Sequence, residues 1–145
     1  LELVEDDALA GLAEVARDAF LEAGPLVLAE AGADVAIWGT NAAKNDAALA
    51  MLAAAGVRVH AETCDVGSEA AVEAAFANTL AALGRVDACF ANAGTYGRKM
   101  KFTELDSEEW HRVTRVNLDG AFYTLRTAAR HMVERGGGGS LVIKS

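Results

Sequence analysis

Short runs rich in β-branched and aromatic residues alternate with longer alanine-rich segments of helical period, and this alternation constrains the fold more than any other feature. Val35-Ala36-Ile37-Trp38 reads as a strand. Residues 42–55 form a helix with Leu49, Leu52 and Ala55 on one side, closed by Gly56. Val57, Val59 and Ala61 alternate as a second strand, and Ser68 caps a helix with the stripe Val72, Phe76, Leu80 and Leu83, ended by Gly84. Val86 to Ala91 is a third strand. From Ser107 a long helix runs to about Arg135, and glycines 136–139 make a turn into a last strand, Leu141 to Ile143. A βαβαβαβ order requires right-handed crossovers, hence a doubly wound parallel sheet with helices on both faces.

Residues 1–24 depart from this rhythm. They collect Glu2, Glu5, Asp6, Asp7, Glu14, Asp18 and Glu22 and place Leu9, Leu12, Ala16 and Phe20 on one face, so an extra acidic helical segment is expected before the break at Gly24-Pro25. Residues 25–145 then form the α/β unit. A formal net charge of -8 argues against nucleic-acid or anionic-lipid partners. Cys64 and Cys89 lie on separate strands and suggest free thiols in a reducing compartment. No apolar run approaches a membrane span and no signal-peptide pattern is present, so a cytoplasmic protein is expected.

Chemistry is expected at the carboxyl ends of the strands, where parallel sheets bind ligands. There the third strand ends on Asn92-Ala93-Gly94, small residues that let a ligand approach the backbone. Asn117 falls in one helical stripe with Trp110, Val113, Ala121, Thr124 and Ala128, which turns its amide toward the core. Burying it unpaired would cost about 1–3 kcal/mol, so partners are expected. His60 and Cys64 lack a second ligand pair, and no metal site is expected. Arg98, Lys99 and Lys101 read as a solvated basic loop.

The runs "LAEAGADVAIWG" (28–39), "CDVG" (64–67), "NAG" (92–94) and "VNLDGAF" (116–122) resemble the short-chain dehydrogenases/reductases in order and in spacing. From Asp65 to Asn92 is 27 residues, and from Asn92 to Asn117 is 25. The resemblance implies a Rossmann-like, partial dinucleotide-binding domain and an NAD(P)-dependent oxidoreductase acting on an alcohol or carbonyl. It implies that Asp65 and Val66 hold the adenine ring. Asn92, Ala93 and Gly94 would pass beside the ribose, with Asn92 also tying neighbouring strands. It places Asn117 in the catalytic set, where a local helix break lets a backbone carbonyl hold a relay water, and it puts Ser145 at the catalytic serine or just before it. Homo-oligomers would form through the helix containing Asn117, which offers Phe122, Leu125 and Met132. Where an acidic residue would select NAD, this chain has Gly39-Thr40-Asn41. Thr40, Asn41 or Lys44 would then donate to a 2′-phosphate, favouring NADP slightly over NAD.

Two departures bear on these expectations. The family's opening strand and Thr-Gly-x-x-x-Gly-x-Gly turn are absent from these residues, as is its Tyr-x-x-x-Lys. That strand is the family's central one, so unpaired strand edges are expected on either side of its place. The expectation is an incomplete chain, inactive alone. The alternative is a non-enzymatic interaction protein that keeps the scaffold.

Overall fold

A computed structural model describes residues 24–144. The acidic segment and Ser145 therefore lie outside the described residues. The elements run α1 (Pro25–Glu30), β1 (Val35–Gly39), α2 (Ala42–Ala53), β2 (Val59–Thr63), α3 (Glu69–Leu83) and β3 (Ala88–Ala91). A short 3₁₀ turn (Phe102–Glu104) follows, then α4 (Ser107–Thr114), a π-helical turn (Arg115–Asp119), α5 (Gly120–Arg135) and β4 (Ser140–Ile143).

The strand and helix types agree with the sequence pattern, with one addition. Pro25, expected only to break a helix, opens α1 instead. Proline lacks only an amide that the first helical position leaves unpaired anyway, and Gly24 (φ 73°) supplies the turn into it.

All strand pairing is parallel, but the described strands form two sheets. β1 pairs with β2 in the register Val35↔Val59 to Gly39↔Thr63, and β3 pairs with β4 from Ala88↔Ser140 to Ala91↔Ile143. Among the described residues, then, β1 pairs only with β2 and β3 only with β4.

Alternation along β1 sends its side chains to two helical layers. Val35 and Ile37 pack with Ala29 of α1 and Leu52 of α2, while Trp38 packs with α3. Trp38 touches both remaining clusters: Cys64, Val72 and Ala75 on one side, and Phe76, Ala128 and Met132 on the other. Its ring meets Phe76 edge-on at 6.3 Å, and its indole Nε1 donates to Thr79 Oγ1 at 3.0 Å. Thr79 is buried and donates onward to the Ala75 carbonyl at 2.9 Å, so the indole has a satisfied partner. Trp38 and α3 hold the two half-sheets to one core.

Helix ends follow their sequence signals. Asn41 Oδ1 accepts from the Lys44 amide at 3.0 Å, Ser68 Oγ from the Ala71 amide at 3.4 Å, and Asp106 Oδ1 from the Glu109 amide at 2.7 Å. The glycine run is a turn, as expected, and it is anchored. Gly136, Gly137 and Gly138 all have φ between 70° and 80°, and Arg135 Nη2 donates to the Gly138 carbonyl and to Asp87 Oδ1, each at 2.8 Å.

Candidate functional site

At the carboxyl ends of the strands, the loops after β1, β2 and β3 carry Thr40-Asn41, Asp65-Val66 and Asn92-Ala93-Gly94. Asn45, in α2, ties two of these ends by donating through Nδ2 to the carbonyls of Gly39 and Glu62, both at 3.0 Å. A Cβ on Gly39 would lie 2.5 Å from Asn45 Oδ1, so this closeness needs glycine there.

Asp65 is half-exposed and already engaged. Oδ1 accepts from the Gly67 amide at 3.0 Å, and Oδ2 accepts from Arg115 Nη1 at 2.8 Å. The Arg115 hydrogen bond, then the Gly67 amide, holds its carboxyl below the ordinary carboxylate range. Val66 packs against the start of α5, where a Cβ on Gly120 would come within 2.7 Å of Val66 Cγ2 and 3.3 Å of its carbonyl oxygen. Glycine at 120 lets the helix meet this loop.

The helix break expected near Asn117 is the π turn, a local widening often found at functional sites. Asn117 itself corrects the helical stripe. It is exposed, Trp110 is 55% exposed, and the buried face of α5 is Gly120, Thr124, Ala128 and Met132. A straight 3.6-residue period fails because the π turn adds a residue between the two helices. Met132, expected on an outer oligomer face, follows Ala128 by one turn of the same helix and so lies in the core, whereas Phe122 is 54% exposed and Leu125 half-buried.

The amide of Asn117 does find partners. Oδ1 accepts from the Thr95 amide at 2.8 Å and Nδ2 donates to the Thr95 carbonyl at 3.0 Å, so Asn117 pairs with Thr95 as a second strand would. Gly94 lies alongside, its Cβ direction 3.6 Å from Asn117 Oδ1. Asn92, Ala93 and Gly94 are exposed. Asn92 makes no side-chain tie to a neighbouring strand among the described residues, where β3 pairs only with β4.

Two residues at this end had no place in the sequence reading. Glu109 is 2% exposed, its carboxylate covered by the guanidinium groups of Arg98 and Arg112 rather than sunk in apolar core. Oε1 accepts from the Arg98 amide at 2.6 Å and Arg112 Nη2 at 2.8 Å, and Oε2 accepts from Arg112 Nε at 2.8 Å. These bonds, Arg112's first, hold its carboxyl down to about 2. The pattern Asp-x-x-Glu from Asp106 reads as an ordinary helix start, which hides the second use of Glu109. Arg98, expected to be solvated, also pairs with Asp106 at 3.3 Å.

Thr40, Asn41 and Lys44 lie together at the end of β1, all exposed, with the Asn41 side chain committed to its cap. Among the described residues no group of three or more His, Cys, Asp or Glu is arranged to hold a metal, and no helix is long and apolar enough to cross a membrane.

The model of the family described as enoyl-(acyl carrier protein) reductase matches residues 25–145. The chain belongs to the short-chain dehydrogenase/reductase family. It is 38% identical over 112 residues to a 2-dehydro-3-deoxy-L-rhamnonate dehydrogenase (NAD(+)) of Sphingomonas sp. (strain SKA58), covering 77% of this chain and 43% of that relative. Among solved structures, an NAD+-bound xylitol dehydrogenase superposes with a TM-score of 0.77 at 31% identity, covering 81% of this chain and 45% of its own. An alcohol dehydrogenase from the archaeon Thermococcus sibiricus, complexed with 5-hydroxy-NADP, gives a TM-score of 0.71 at 32% identity, covering 79% and 48%. The chain thus spans less than half the length of these short-chain dehydrogenases.

Proposed function

We propose that the protein carrying this chain transfers hydride between a nicotinamide cofactor and an alcohol or carbonyl substrate. The observation that carries the reading is the join of Asn117, in its π turn, to Thr95 immediately after Asn92-Ala93-Gly94, with Asp65-Val66 packed on the same helix. The adenosine half of a dinucleotide fits these residues. Asp65 and Val66 would hold the adenine, and the exposed Asn92–Gly94 backbone would pass beside the ribose. No glycine-rich cradle for the pyrophosphate lies among the described residues, so this half of the grip falls to other parts of the protein. When bound, the cofactor supplies the hydride chemistry. Asn117 and the π turn would position a water for proton transfer, and Ser145 corresponds to the family's catalytic serine or to the position just before it.

Absence of an acidic side chain at Thr40-Asn41 removes the repulsion toward a 2′-phosphate, and Lys44 stands nearby, so NADP is favoured slightly over NAD. Homo-oligomers form through the α5 face. Its exposed Phe122, with Leu125, Leu118 of the π turn, and Leu141 and Ile143 of β4, lines an apolar groove of about 420 Å³. Net charge and free thiols fit a cytoplasmic enzyme without nucleic-acid or membrane partners. The test is absorbance at the reduced-nicotinamide band with a panel of secondary alcohols and ketones, using the full-length protein. A signal is expected with at least one substrate. Failure across the panel together with absent cofactor binding would favour the interaction-protein reading.

A further inference from the structure

Three of the four residues after Gly94, namely Thr95, Tyr96 and Arg98, have their backbone held by side chains from one helical arm. Asn117 takes both the amide and the carbonyl of Thr95. Arg112 Nη2 donates to the Tyr96 carbonyl at 2.8 Å, and its Nη1 donates to Thr95 Oγ1 at 3.2 Å. Glu109 Oε1 takes the Arg98 amide. A surface loop ordinarily leaves such groups to water. Here they are collected by three polar residues at positions 109, 112 and 117.

We propose that Glu109 and Arg112 are positioning residues that fix the Thr95–Arg98 backbone and, through Thr95, the direction of the Asn117 carboxamide; this rests on the functional reading above. Glu109 is the node because both of its oxygens accept from Arg112, which locks the planar guanidinium in one orientation. The remaining donors of Arg112 then face Thr95 and Tyr96. Without the carboxylate, Arg112, whose side chain is 45% exposed, keeps only its bonds to Thr95 and Tyr96, for which water competes. The loop would lose the Glu109 anchor outright and the Arg112 anchors with it. Asn117 would then bond to a peptide that wanders.

The test compares the full chain with Glu109→Gln and Arg112→Lys by site-resolved amide hydrogen exchange and ¹⁵N NMR of the Asn117 side-chain amide. Loss of a hydrogen bond to a charged group predicts about tenfold faster exchange at Arg98, and faster exchange also at Thr95, whose amide bond to Asn117 the loosened loop no longer holds in place. The Asn117 Nδ2 resonances should shift, while the amides of Leu52 and Val72 keep their protection. Uniform loss of protection throughout the chain, or unchanged exchange at Thr95, would overturn the proposal. Should Glu109→Gln fail to fold, Arg112→Lys keeps the charge but loses the fork, and the same local pattern is expected of it. Hydride transfer is read separately in the full-length protein, where each variant should lower kcat more than it raises the KM for cofactor. Local loosening in a protein that never transfers hydride would uphold the positioning role and sink the catalytic reading.

Discussion

The guanidinium of Arg115 lies over Gly67 and donates to Asp65 from a position 50 residues further along the chain. A Cβ at residue 67 would collide with this guanidinium, so the ion pair keeps this geometry only beside a glycine. Through this contact the π turn reaches the loop after β2 and fixes a carboxylate that the proposed cofactor would approach.

Arg115→Ala should return the Asp65 carboxyl toward its ordinary value, because the largest cause of its depression is removed. The folded value lies below the unfolded one, so the pair's contribution is present above pH ~4 and fades as pH falls through the folded value. Both side chains are 46% exposed, so the loss at neutral pH should stay under about 1 kcal/mol. NMR titration of Asp65 and urea unfolding of the variant check the two parts.

Acid should also disclose Glu109. Its carboxyl is held at about 2 against an ordinary 4.5, so its stabilisation is complete above the latter and disappears as pH approaches the former. Thermal midpoints of the wild type and Glu109→Gln should therefore differ at neutral pH and converge on acidification to about 2.

Thr79→Val keeps shape but leaves the Trp38 indole donor unpaired beside α3. The expected cost is about 1–3 kcal/mol. Trp110 is the other tryptophan of the chain and is far more exposed, so a change in the less exposed component of the fluorescence would report Trp38.

Gly120→Ala would normally favour a helix by up to about 1 kcal/mol. Here the added methyl meets Val66, including its carbonyl oxygen, which cannot turn aside. Overpacking typically costs about 1–3 kcal/mol, so net destabilisation is expected in chemical denaturation. Movement of Val66 should weaken adenosine-side binding in the full-length protein.

The 145-residue chain alone should bind NADH and NADPH weakly and transfer no hydride, since the donors for a pyrophosphate and the Tyr-x-x-x-Lys pair are absent from its sequence. Fluorescence titration with both nucleotides checks this. Submicromolar binding would mean that residues 1–23 contribute a phosphate site.

The sequence made the layered α/β order legible because its signals are local: caps at Asn41 and Ser68, a glycine stop at Gly84, and periods of two and near four. What it concealed was non-local or degenerate. The periodicity turns Asn117 inward only along a straight helix, and the π turn, which the family resemblance implies as a break, has no side-chain signature of its own in that periodicity. Glu109 carried no signal, since its bond to the Arg98 amide depends on where a loop returns in space. Pro25 reads as a stop because proline interrupts a helix interior, yet it suits the first helical position that it takes here.

Each half-sheet contains one cysteine at its heart: Cys64 directly after β2, and Cys89 within β3. Burial pushes the Cys89 thiol up to about 11, and burial together with the neighbouring Asp65 and Glu62 charges raises Cys64 as well. Neither is a ready thiolate at neutral pH. Alkylation must then await local opening, and because the halves share few backbone bonds they need not open together. Peptide-resolved labelling over time gives two separate clocks in one molecule, one for the β1–β2 half and one for the β3–β4 half. If Trp38 couples the halves, Thr79→Val should set those clocks to different rates.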